Sequence, residues 1–224
     1  MTSRWVPGSL LGGLTETTVQ DLLKVARRHS AKSGEKVLSE GEPGGHVEII
    51  LRGFCKVSVT TPGGYQALLA IRGPGDLVGE LAEFSGQARS ATVTASGPVE
   101  LAAVPHAPFQ HFLRTHADVA EQVTRMVGDR LAWANRRRTD NGAYPAEARL
   151  ARLLAELAGV CGVPEADGVR LVVPLSQGEL AGLIGAQAPT VQKGLQELRR
   201  QGIVTTGYRR IVINDVAALT RWEA

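Results

Sequence analysis

Between Thr15 and Ala26 the apolar residues Val19, Leu22, Leu23 and Ala26 recur at helical spacing, with Thr15 placed to cap the first turn. From Gly34 to Val104 the period changes. Val47-Glu48-Ile49-Ile50-Leu51 precedes Arg52-Gly53, and then Cys55, Val57 and Val59 alternate with Lys56, Ser58 and Thr60. Thr61-Pro62-Gly63-Gly64 has hairpin-turn chemistry, and Tyr65 to Ile71 forms the next apolar run. Ala91, Val93 and Ala95 alternate with Thr92 and Thr94, and Val99 to Val104 follows Gly97-Pro98. Short strands at about 8–12-residue spacing, divided by glycine and proline, predict a small antiparallel barrel or sandwich.

Around Pro108 the helical period returns and runs long. Val119, Val123, Met126, Arg130, Trp133 and Arg137 are spaced alternately by four and three, and Ala120, Val127, Leu131 and Ala134 widen the stripe. A helix apolar along one side needs a cover, which a second copy of the chain would supply through residues 118–138 as a short coiled coil; its own barrel is the other cover, and the helix is expected to use some of both. Thr139-Asp140-Asn141-Gly142 is a strong breaker, and Pro145 suits a first helical position. The pattern divides the chain into an N-terminal domain over 1–107, a long helix over 108–140 and a C-terminal domain over 141–224. In the last, Leu150, Leu153, Leu154, Leu157 and Ala158 form a helix face, Gly159 to Gly168 a loop, and Val169 to Val173 a strand ending at Pro174.

The next segment predicts a helix-turn-helix. Ser176 caps a helix running to Ile184, Ala181 is small where a second helix crosses, and Gly185 suits a turn with positive φ. Pro189 pre-sets the second helix, whose inward side is Val191, Leu195 and Leu198. After Gly202, Ile203 to Thr206 and Ile211 to Ile213 flank Gly207-Tyr208-Arg209-Arg210 as a two-stranded wing. Gly194, at a usually apolar position of the second helix, has no explanation in the sequence and costs about 1 kcal/mol in helix propensity.

Composition narrows the class. The 224 residues are 43% hydrophobic and 21% charged, with a formal net charge of +3, which excludes a disordered chain. Apolar runs fall short of the roughly 18–20 residues of a membrane span, and the start of the chain lacks a signal-peptide layout, so a cytoplasmic protein with no membrane partner is expected. Two distant cysteines, Cys55 and Cys161, cannot supply an iron–sulfur cluster or a zinc ribbon. The near-neutral total hides one asymmetry: residues 193–210 hold Lys193, Arg199, Arg200, Arg209 and Arg210 against Glu197 alone. Together with the wing, that cluster points to double-stranded DNA, gripped by the four arginines, with Gln187, Gln192, Lys193 and Gln196 as further candidate contacts. Ser176 and Thr190 complete the candidate DNA contacts.

The sharpest constellation is Gly79-Glu80-Leu81, then after seven residues Arg89-Ser90-Ala91. An arginine beside free backbone N–H groups can grip one anionic phosphate, and a nearby carboxylate can accept from sugar hydroxyls. A Glu80–Arg89 salt bridge closing a hairpin is the alternative reading of the same spacing. With this motif, the long helix and the winged helix in that order, the chain resembles the bacterial cAMP receptor protein family of transcription regulators over nearly its whole length. The resemblance implies an α+β chain: an antiparallel, jelly-roll-like β-roll that binds a cyclic nucleotide, a dimerisation helix, and a winged helix-turn-helix. It implies that Arg89 and Ser90 hold the cyclic phosphate of cAMP or another cyclic mononucleotide. Glu80 would take the ribose 2′-hydroxyl, with the backbones of Gly79, Leu81 and Ala91 close by. It further implies a homodimer whose ligand repositions the DNA-binding domains on a palindromic operator, and contact with RNA polymerase.

Two positions depart from the family. Its cAMP responders present two adjacent hydroxyl residues to adenine where this chain has Ala134 and Asn135; Asn135 can still bond a purine edge, and Trp133 can pack near it. The recognition helix begins Ala188-Pro189 where relatives often have Arg-Glu, so neither residue can make a bidentate base contact. Other readings are a same-family regulator that is ligand-independent or senses another effector, a nucleotide module acting on a protein partner, and an enzyme. Against the last, the chain has no H-E-x-x-H, P-loop or nucleophile elbow. His106, His111 and His116 are five apart and do not converge on a metal.

Overall fold

A computed structural model describes residues 4–222. They fall into two compact units, one holding residues up to 60 with 70–132, the other 61–69 with 133 onward. The first unit is an antiparallel β-roll. Its elements are α1 (Glu16–Lys24), β1 (Arg27–Ala31), β2 (Lys36–Leu38), β3 (His46–Thr60), the end of β4 (Gln66–Arg72), whose residues 66–69 are grouped with the other unit, β5 (Leu77–Val78), α2 (Glu80–Ser85), β6 (Thr92–Pro105) and α3 (His106–Thr115). Strands run β1-β6-β3-β4, with β2 also on β6 and β5 on β3.

The glycine-divided runs of the sequence join into two long strands. β3 and β6 pair from His46 opposite Pro105 to Ser58 opposite Thr92, with register shifts between Ile50 and Arg52 and between Arg52 and Phe54. A bulge bends a strand without ending its pairing, so the punctuation marks curvature rather than strand ends. The continuous apolar run has the same logic. Val47, Ile49 and Leu51 face a core shared with Leu10, Leu22, Phe109 and Phe112, while Ile50 and Cys55 face a second core with Val93 and Leu101. A strand buried on both faces cannot alternate. Burying a side chain such as Phe109, which is fully enclosed, stabilises by about 1.5–3 kcal/mol.

The long helix is two helices, α3 and then α4 (Ala117–Ala143), broken at His116. α4 continues through Thr139-Asp140-Asn141-Gly142, because the last turns tolerate weak helix formers once other contacts hold them. The part of its apolar stripe expected to pack on the barrel does so: Val119, Val123 and Met126 are buried in the chain's own core, and Gln122 Nε2 donates to Ser9 O at 3.0 Å.

The second unit holds α5 (Ala146–Cys161), β7 (Gly162–Glu165), β8 (Gly168–Leu171), α6 (Gln177–Ile184), α7 (Ala188–Arg200), β9 (Val204–Gly207), β10 (Arg210–Ile213) and α8 (Val216–Thr220). Its sheet is four-stranded, β7-β8-β10-β9; the stretch read as a loop supplies β7, and the wing β9–β10 is one half of a larger sheet. The helix pair forms as its local signals dictate. Ser176 and Glu179 make a reciprocal capping box, Gly185 ends α6 at φ 60°, and a proline opens α7. Gly194 gains its explanation here: a Cβ there would lie 2.9 Å from Leu150 Cδ2, so glycine lets α7 approach α5.

Candidate functional site

The Gly79–Ala91 segment packs around its arginine. Arg89 is buried, its side chain 3% exposed. Its Nη1 donates to Gly79 O at 2.7 Å and its Nη2 to His46 O at 2.6 Å. A guanidinium has five N–H donors, so three remain. Gly79 stands at φ +87°, and a Cβ there would lie 2.5 Å from Arg89 Nη1. Both the left-handed backbone and the close approach require glycine. Ser90 is exposed beside the buried arginine and Ala91 is half-buried, while the Leu81 side chain is exposed.

Glu80 does not close a hairpin onto Arg89. Its Oε1 accepts from Arg130 Nη1 at 2.6 Å, and Arg130 Nη2 also donates to Leu77 O at 2.9 Å and to Asp76 Oδ1 at 3.2 Å. Arg130 thus leaves the stripe and ties α4 to the nucleotide segment. Arg72 lies within reach of this cluster. Burial, with repulsion from Arg130, lowers it to about 10 against the attraction of Asp76 and Glu80.

Asn135 belongs to the second unit, exposed, with its carbonyl accepting from Thr139 Oγ1 at 3.1 Å. Trp133 is engaged in that unit: its Nε1 donates to Glu156 Oε2 at 2.9 Å, and Arg137 stacks 4.4 Å from its ring centre.

In the second unit a cavity of about 290 Å³ lies between α6, α7 and the wing. Among its lining residues are Ser176, Gln192, Gln196, Arg199, Arg209 and Arg210. Lys193, Gln187 and Arg200 are exposed outside that lining, and Thr190 is half-buried. The arginines differ in their readiness for phosphate. Arg200 is held by Glu197 through Nε at 2.9 Å and Nη2 at 2.6 Å, and that contact, with Gln201, pulls Glu197 down to about 2. Arg210 Nη2 donates to Glu165 Oε2 at 2.8 Å. Among the described residues Arg199 and Arg209 make no ion pair, and Arg209 sits at φ 51° on the wing tip. The Ser176 hydroxyl is committed to its cap, accepting from Glu179 N–H and donating to the Glu179 carboxylate.

Cys55 and Cys161 are both buried and free; burial pushes them up to about 12 and about 11. Among the described residues no group of three or more His, Cys, Asp and Glu can hold a metal ion, and no helix is long and apolar enough to cross a membrane.

Residues 28–116 match the cyclic nucleotide-binding domain and residues 148–222 the Crp-like helix-turn-helix domain. A "CRP-like cAMP-activated global transcriptional regulator" of Mycobacterium tuberculosis is 29% identical over 209 residues, covering 93% of each chain. A solved transcriptional regulator of the CRP/FNR family from Thermus thermophilus superposes with TM-score 0.73 at 29% identity, covering 87% of this chain and 97% of that one. FixK2 from Bradyrhizobium japonicum shares the fold at TM-score 0.76 and 23% identity, over 89% and 98% of the two chains. A nucleotide-binding β-roll joined to a helix-turn-helix defines a DNA-binding transcription regulator. With both domains in order and relatives matched along nearly their full length, this chain belongs to the cAMP receptor protein family.

Proposed function

We propose that the protein is a homodimeric transcription regulator of the cytoplasm whose effector is a cyclic mononucleotide, cAMP, bound once per subunit. The observation that carries this reading is the buried Arg89, held by two carbonyls with three N–H groups spare and Ser90 beside it. The cyclic phosphate would meet Arg89 and Ser90. The 2′-hydroxyl would meet the Glu80 oxygen that Arg130 leaves free. Calorimetric titration with cAMP, cGMP and a cyclic dinucleotide tests it. Arg89→Ala should lose a buried charged hydrogen bond, about 2–5 kcal/mol, or roughly 30-fold and upward in affinity. Wild-type protein that binds no cyclic nucleotide at millimolar concentration overturns it.

One observation favours a second reading, a ligand-independent regulator. Glu80 and Arg89 already have internal partners, so the segment is held in place without a ligand. DNA binding that is equally tight with and without cAMP selects that reading.

The dimer seam we assign to the face of α4 that its own core leaves open. Ala120, Thr124 and Leu131 lie along it, with Val127 at its edge half-buried against the core, and Leu131 is 63% exposed. Two copies would then present α7 to two half-sites of an inverted repeat. Lys193, Gln192 and Gln196 would read bases, while Arg199 and the wing grip phosphates. RNA polymerase contact follows from the same regulatory role.

A further inference from the structure

The nucleotide segment holds a second acid that the roles above leave unused. Glu83, on α2, is enclosed, its side chain 1% exposed. Its Oε1 accepts from Gly45 N–H at 2.6 Å and lies 4.0 Å from Arg89 Nη1. Its Oε2 meets His106 Nδ1 at 2.5 Å. His106 opens α3, and its side chain is 56% exposed. A fixed cation, a buried carboxylate and a titratable imidazole therefore stand in one row.

A carboxylate this buried needs compensation. Burial by itself would raise Glu83, but the Gly45 N–H, His106 and Arg89 outweigh it and hold the group below the ordinary carboxylate range. Glu83 is therefore an anion at neutral pH. An anionic ligand at Arg89 must share that arginine with it. With His106 neutral, Arg89 alone answers both negative charges. With His106 protonated, the imidazolium answers Glu83 and the guanidinium charge is left for the ligand.

We propose that Glu83 and His106 form a proton-operated counter-ion to Arg89, so that protonating His106 strengthens binding of an anionic cyclic phosphate. The inference rests on the reading of Arg89 as the phosphate ligand. By linkage, a ligand that prefers the protonated form binds more tightly as pH falls through the imidazole's titration. The groups facing Glu83 are Arg89, from the segment ahead of β6, and His106, from α3. Nearby Glu80 is turned to Arg130. Among the described residues the other histidine–carboxylate ion pairs of the roll are those of His29 and His46 with Glu48, at 3.0 and 3.3 Å, and His116 also acts on Asp21 through charge. They are the rival source of any pH effect.

Calorimetry with cAMP from about pH 8 to about pH 6 separates these sources, because its phosphodiester keeps one charge throughout. Wild-type affinity should rise about tenfold, within the usual range of site-to-site coupling. His106→Gln should give a flat profile at the wild type's high-pH affinity. Glu83→Gln should also be flat, with affinity at or above the wild type's low-pH value. A merely structural pair would instead lower affinity at every pH and keep the slope. A slope that survives in His106→Gln, or a Glu83→Gln protein weaker than wild type throughout, overturns the proposal. A flat wild-type profile with firm binding removes this inference alone. Wild-type protein that binds no cAMP at either pH removes the effector reading with it.

Discussion

Replacing Arg130 by methionine isolates what ties α4 to the nucleotide segment. The change keeps an unbranched apolar stem but removes the cation shared by Glu80 and Asp76, whose side chains are 6% and 11% exposed. The two acids do not lose equally. Asp76 still accepts from Gly73 N–H at 2.9 Å, whereas the Glu80 side chain bonds Arg130 alone among the described residues. Removing one partner of a buried pair costs about 3–5 kcal/mol. Arg72, freed from Arg130's repulsion, takes over part of the compensation, so the lower end, about 3 kcal/mol, is expected. At a urea slope of about 2 kcal/mol per molar, the midpoint should fall by about 1.5 M with the slope unchanged. Adding Glu80→Gln neutralises the stranded acid and should restore about 2 kcal/mol, a coupling that only neighbouring sites show. Urea titrations of wild type, Arg130→Met and the double variant supply the measurement. A midpoint shift below about 0.5 M, or a double variant no more stable than the single one, would refute the buried-charge account.

Other outcomes follow from the same contacts. Arg199→Ala should lower the slope of log affinity against log salt on random duplex by about one, while Arg200→Ala, whose cation Glu197 already holds, should lower it less; equal losses would show the ion pair to be irrelevant on DNA. Leu131→Asp should convert a dimer to a monomer in sedimentation at micromolar protein, and a dimer that persists moves the seam elsewhere. Gly194→Ala gains up to about 1 kcal/mol of helix propensity but presses on Leu150, and overpacking at about 1–3 kcal/mol should win; a raised melting temperature would show that Leu150 yields.

Local signals were legible and non-local ones were not. The helix-turn-helix could be read because Ser176, Gly185 and Pro189 each act on their own few residues, and nothing distant competes. The β-roll was legible as short strands but not as long ones, since Gly53 and Gly97 are ambiguous punctuation. A glycine can end a strand or bend it, and only the pairing partner decides. β7 was missed for a related reason: Gly162 to Glu165 lacks alternation and becomes a strand through its pairing with β8. Gly194 could not be explained from its own helix, because the reason for it is Leu150 on another.

The candidate site shows the same limit in its charges. Arg89 and Glu80 stood out as a motif, but Glu83 lay among the seven residues counted as spacer, and His106 was weighed only as a metal ligand. Arg130 counted as one position of the apolar stripe, with no partner assigned to it. Periodicity assigns a residue to a face and is silent about what covers that face, so a stripe built for the chain's own core looks like a dimer seam. A charge inside such a stripe carries the missing information. An arginine among residues as buried as Val123 and Met126 must find an acid nearby or unfold the helix it sits on. Here that acid is Glu80, the residue expected to receive the ribose hydroxyl. Arg130 is thus the contact through which α4 meets the nucleotide segment, and Leu131, one residue on and so about 100° round the helix, lies on the face proposed for a second copy.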